Sequence, residues 1–166
     1  MTGTSPLPPS PDADDIRKHL DFIQAIVARM AGASAAAKGW LLPVVSATFG
    51  FALVKHEAQV AVLGILAVLL FAFLDANYLR QEKAYRGLYD TVARQTRPVV
   101  TFSLDPSDAD DPIPPAGNRR EKLRALRRRW FPDREVWLSW SVAPFYGALL
   151  LVGLWIAVVA AGHPPE

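Results

Sequence analysis

Apolar positions concentrate in three long runs free of charged side chains, residues 40–54, 58–74 and 136–161, and elsewhere recur at helical spacing between polar ones. At about 1.5 Å of rise per residue the first run reaches roughly 23 Å, short of a bilayer core of about 30 Å. The missing turns are available upstream, where residues 31–37 are almost all small and Lys38 can lay its stem in the apolar phase with its ammonium at the headgroups. Only Lys55, His56 and Glu57 separate runs one and two, which predicts a tight hairpin of antiparallel helices. Run three is long enough to cross with tilt, and Pro144 predicts a kink in it.

Amphipathic stripes continue beyond the runs. Asp12, Asp14 and Asp15 precede a pattern of Ile16, Leu20, Ile23, Val27 and Met30, which reads as a helix leading into run one. After run two the period continues through Leu74, Tyr78, Tyr85, Leu88 and Val92, with Glu82 and Arg86 four apart. Two such extensions leaving one hairpin side by side can bury their stripes against each other, and two or more protomers would complete a bundle core. From Pro98 the pattern changes. Val99, Val100, Thr101, Phe102, Ser103 and Leu104 read as a short strand-like segment, and a loop follows with Pro106, Pro112, Pro114, Pro115, Asp105, Asp108, Asp110 and Asp111, expected to be extended and mobile. Asn118 can then cap a basic helix that carries Leu123, Leu126 and Trp130 on one side, suited to lying in a membrane interface, and Pro132 ends it. The expected organisation is a disordered tail over 1–11, the amphipathic helix and hairpin with its extension over 12–97, the acidic Pro-rich loop over 98–118, and the basic helix with the third span over 119–166. The tail has neither the basic start nor the apolar run of a secretory signal, so none is expected there.

Composition sharpens this picture. Runs one and two could be buried core helices of a small soluble bundle, but a chain of 166 residues, 51% hydrophobic, would then have to surround three nearly all-apolar helices, which favours the membrane. Trp40, Trp137 and Trp140 sit near run ends, as an interfacial belt requires, whereas Trp155 lies inside run three. Net charge is only +2, but of the 18 Lys and Arg all except Lys55 fall before run one or between runs two and three. That asymmetry places the amino terminus and the long middle segment in the cytoplasm and the carboxyl terminus outside. The fold class expected is an all-α membrane protein with three transmembrane helices, long cytoplasmic helical extensions and a homo-oligomeric bundle.

Candidate chemistry is sparse. There is no cysteine, and His19, His56 and His163 lie too far apart to form one ligand set. Neither a phosphate loop nor paired carboxylates in a cleft is visible, so no enzyme, metal or cofactor is expected. Arg119, Arg120, Lys122, Arg124, Arg127, Arg128 and Arg129 have two readings: a topology signal gripping anionic lipid, or a site for the phosphates of a nucleotide or oligonucleotide. Asp75, with Asn77 after it and Arg80 near, and Ser46 in run one, are pore or pairing candidates, although Asp75 at the membrane boundary could simply be solvated. Ser139, Ala143 and Gly147 repeat small groups every four residues, as Ser46 and Gly50 do, and suit close helix packing.

Residues His19-Leu20-Asp21-Phe22-Ile23-Gln24, Lys38-Gly39-Trp40, the segment 70–82, Leu88-Tyr89-Asp90 and Phe145-Tyr146-Gly147 together resemble the few-span membrane effectors of bacterial anti-phage systems. Pro43 and the Asp-Pro loop depart from that pattern. The resemblance implies an inner-membrane protein that permeabilises the membrane in response to a nucleotide signal made by a partner enzyme. Combined with the charge reading, it gives an oligomeric effector that forms a gated ion-conducting or membrane-disrupting assembly. The alternative is a non-conducting anchor or scaffold for a soluble partner.

Overall fold

The computed structural model describes residues 12–110 and 134–162. They are helical, with no strand among them: α1 spans Ala13–Lys55, α2 Ala58–Arg94, α3 Arg134–Trp137 and α4 Ala143–Ala161, and a 3-10 turn covers Pro106–Ala109. Three of these helices, α1, α2 and α4, are long and apolar enough to cross a membrane.

Two of the long helices end in the same way. His56 follows α1 with φ of 55° and Gln95 follows α2 with φ of 50°. Each lets the next amide fold back onto the last turn, Glu57 N–H onto Ala52 C=O at 3.1 Å and Thr96 N–H onto Thr91 C=O at 3.3 Å. This is the left-handed cap that glycine usually supplies; here two long polar residues occupy it. The His56 cap is what makes a connection of only His56 and Glu57 sufficient for the hairpin.

The third run departs from expectation. It is not one kinked helix over 136–161: α3 stops at Trp137, turns follow, and Pro144 stands in the first turn of α4, where its missing N–H costs nothing. The proline that does lie inside a helix is Pro43 of α1. The strand-like segment is also corrected. Residues 99–104 form no strand; the Ser103 amide returns to the Val100 carbonyl at 2.9 Å, and Phe102 takes a φ of 65°, incompatible with extended backbone. Part of the Asp-Pro loop is a capped turn, in which the Asp105 carboxylate accepts from the Ser107 amide at 2.9 Å. The tail over 1–11, the remainder of that loop and the basic helix lie outside the described residues.

The chain divides into two compact units, Met1–Ala28 with Lys83–Ile113 and Arg29–Glu82 with Pro114–Glu166. In the first, the two sequence stripes meet as expected: Ile23, Leu88 and Val92 are buried, with Ile16, Leu20, Val27 and Tyr85 against them. In the second, Leu41, Val45, Phe49 and Ala52 of α1 pack on Ala61, Val68 and Ala72 of α2 and on Val142, Tyr146 and Ile156 from the α4 end. Phe49 is the wedge of this core. A side chain at Gly64 would run into the Phe49 ring and come 2.7 Å from Thr48 Oγ1, and one at Gly153 would come 2.6 Å from Phe49 Cζ and 2.9 Å from Ile65 Cγ1. Only hydrogen on those two α-carbons lets the three helices close around the ring. The opposite faces expose Leu63, Leu66, Leu70, Leu151, Trp155 and Val158, an outward apolar surface suited to lipid.

Candidate functional site

Asp75 is the most deeply buried charge described, with no exposed surface, in the second unit. It stands on α2 with small Ala72 and Ala76 buried beside it, which leaves room for side chains from neighbouring helices. From α1, Lys38 brings its ammonium to 2.5 Å from Asp75 Oδ2, and Ser34, one turn before Lys38, donates its hydroxyl to Asp75 Oδ1. The same ammonium donates to Ser34 Oγ at 3.1 Å and to Ser141 Oγ, ahead of α4, at 3.2 Å. Tyr146 of α4 is buried, and its hydroxyl lies near the Asp75 carboxylate without a hydrogen bond of good geometry; the Ser139 hydroxyl is likewise buried and unsatisfied. Three segments of the second unit thus converge on one ion pair.

Lys38 therefore does not send its charge outward to the headgroups; its side chain is 21% exposed and its charge turns inward. Asp75 is not solvated at a boundary, and the partner the fold gives it is Lys38. The other pore candidates do not join it. Asn77 donates its side-chain amide back to the Phe73 carbonyl at 2.8 Å, and Ser46 is exposed on α1. Ser139 precedes α4, Ala143 opens it, and a Cβ at Gly147 would meet nothing within 4 Å, so among the described residues the tight glycine contacts between helices belong to Gly64 and Gly153. Arg119, Arg120, Lys122, Arg124, Arg127, Arg128 and Arg129 lie outside the described residues.

Ser34, Lys38, Ser141 and Tyr146 were not legible as one site, yet one signal for the central pair exists. In an antiparallel hairpin, residues equally distant from the turn face each other. Lys38 is as far before His56 as Asp75 is after Glu57, and Phe49 and Gly64 mirror each other in the same way.

Chemically, the cluster has one negative and one positive side chain and hydroxyls that can donate or accept. Removing an ion pair from water costs several kcal/mol per ion, recovered only when both charges remain together and hydrogen-bonded. The arrangement is suited to holding or releasing α1 against α2, or to exchanging one cation for another at Asp75. Comparison with protein-family models, with curated proteins and with solved structures finds no match to this chain.

Proposed function

We propose that this protein is a membrane effector whose protomers assemble into a gated ion-conducting or membrane-disrupting oligomer, with the Lys38–Asp75 pair as the internal latch. The observation that carries the reading is a multiply hydrogen-bonded ion pair, its carboxylate fully buried and its ammonium largely so, between two helices whose outer faces are apolar. Ionisable groups at such depth are costly, and where they persist they mark ion pathways or switching contacts. A single three-helix protomer is too small to enclose water, so conduction requires several copies. Breaking the pair separates α1 from α2 and presents charge and hydroxyls to a path between protomers, which gives two discrete states of different polarity. The distribution of Lys and Arg supports an N-inside orientation, and the sequence resemblance supports the bacterial inner membrane, a role in anti-phage defence, and control by a nucleotide signal or the enzyme that makes it. A ligand gates such an assembly only if it favours one of the two states.

The test is ion flux from liposomes holding the full-length protein, with the wild type compared to Lys38→Met and to the double variant Lys38→Met with Asp75→Leu. Flux that rises when Lys38 alone is removed, and falls to background when both charges are gone, supports the latch. Absence of flux from every form, and no loss of membrane potential on expression in cells, would leave the anchor role in its place.

A further inference from the structure

The Lys38 ammonium stands where a small cation would. It lies 2.5 Å from Asp75 Oδ2, 3.1 Å from Ser34 Oγ and 3.2 Å from Ser141 Oγ, three oxygens drawn from α2, α1 and the segment ahead of α4. Carboxylate and hydroxyl oxygens are the donors that hard cations take. The two members of the pair differ in freedom. Asp75 has no exposed surface, whereas the Lys38 side chain is partly exposed, so the lysine can turn outward along its stem and the carboxylate cannot follow. One donor is left over. Tyr146 is 3% exposed, and its hydroxyl, beside the Asp75 carboxylate, has no hydrogen-bond partner of good geometry. A buried hydroxyl without a partner carries a free-energy cost that a ligand removes. Among the described residues no three His, Asp or Glu side chains gather to hold a metal ion, so the carboxylate at this site balances one positive charge and no more.

We infer that Asp75, with the hydroxyls of Ser34 and Tyr146, binds a dehydrated alkali-metal cation in exchange for the Lys38 ammonium. The carboxylate supplies the charge, the hydroxyls turn lone pairs toward the ion, and Lys38 withdraws outward, so the buried charge stays balanced throughout. Ser34 already works this way, donating its proton to Asp75 while its oxygen accepts from the ammonium. A divalent ion would leave one positive charge uncompensated among buried side chains. The inference rests on the reading of Lys38 and Asp75 as a pair that opens, and does not require the protein to conduct.

The experiment is a titration of the full-length protein in lipid nanodiscs with isotope-labelled tyrosine, Tyr146 being assigned by loss of its resonance in Tyr146→Phe. The probes are sodium chloride and potassium chloride, with magnesium chloride and choline chloride as controls at equal ionic strength. Saturable movement of the Tyr146 signal is expected with sodium or potassium and with neither control. Lys38→Met should tighten binding roughly tenfold or more, since the wild type is ready for the ion only in the minor fraction of molecules whose lysine has withdrawn. Ser141→Ala, a milder change that removes one hydrogen bond of the ammonium, should tighten it about fivefold. Asp75→Asn together with Lys38→Met should abolish it. No saturable shift in the wild type or in Ser141→Ala, magnesium binding as tightly as the alkali ions, Ser141→Ala binding no tighter than the wild type, or binding that survives the loss of the Asp75 charge overturns the proposal. Ion flux from the same proteins in liposomes separates it from the gate: flux governed by Lys38 with no saturable shift overturns the cation site and keeps the latch, whereas a saturable shift with no flux supports the cation site and overturns the gate alone.

Discussion

The two units of this chain solve one problem, holding α1 against α2, with different chemistry. The first uses large side chains meeting at helical spacing, Ile23 on Leu88 and Val92, with a buried histidine bonded to a backbone carbonyl at the edge. The second uses small residues that let backbones approach around Phe49, and an ion pair between α1 and α2. Water explains the difference. Where water surrounds an element, burying Leu and Ile supplies the driving force. Between helices whose outer faces meet lipid, the hydrophobic effect contributes little, and close packing and polar contacts hold helices together.

Variants can break or sharpen that contrast. The largest effect is expected from Lys38→Ala, which strands the Asp75 carboxylate and should cost about 3–5 kcal/mol, measured as unfolding by SDS titration in mixed micelles. The double replacement of Lys38 and Asp75 by Met and Leu should recover most of that loss; no recovery would mean that the pair is not the unit that matters. Leu88→Ala should cost about 2–5 kcal/mol by opening a cavity in the first unit. Hydrogen exchange should then rise at residues 83–94 and stay unchanged around Asp75. Gly153→Val should cost about 1–3 kcal/mol through overpacking against Phe49 and Ile65, whereas Gly147→Val, with open space at its Cβ, should leave the thermal midpoint of the reconstituted protein nearly unmoved.

The smallest effect concerns Asp105, on the exposed turn. The Ser107 hydroxyl, and after it the Ser107 amide, hold its carboxyl below the usual aspartate range. A lowered value in the folded turn means that its contribution is complete above the ordinary aspartate pKa and is lost as pH falls through the lowered one. The Ser107 amide signal should therefore persist to a lower pH than a free aspartate would allow, and in Asp105→Asn should show no such acid step.

Much of the fold was legible in the residues. Ile16, Leu20, Ile23 and Val27 and their counterparts Tyr85, Leu88 and Val92 carry their period openly, and Lys55-His56-Glu57 is too short for anything but a hairpin. The third run misled because an unbroken apolar stretch reports hydrophobicity without reporting where a helix begins; Pro144 started α4 instead of bending it. Val99 to Leu104 misled because β-branched and aromatic residues suit a strand only when a partner strand exists, and here a buried histidine and a ring contact with Phe22 claimed the segment.

The candidate site was half visible. Asp75 stood out because a carboxylate beside 17 uncharged residues is expensive, but its partner did not, since a lysine near a helix end has water as an ordinary alternative. Composition and periodicity alone determined that three helices are apolar enough for a membrane and that two of them turn back on each other, because both properties are local and additive along the chain. Which lysine turns inward, which glycines admit Phe49, and how Ser34, Ser141 and Tyr146 come to share a site depended on contacts between residues far apart in sequence. Those contacts are set by the register in which helices pack, and register is decided by shape and charge complementarity across the interface, a property that belongs to no single segment.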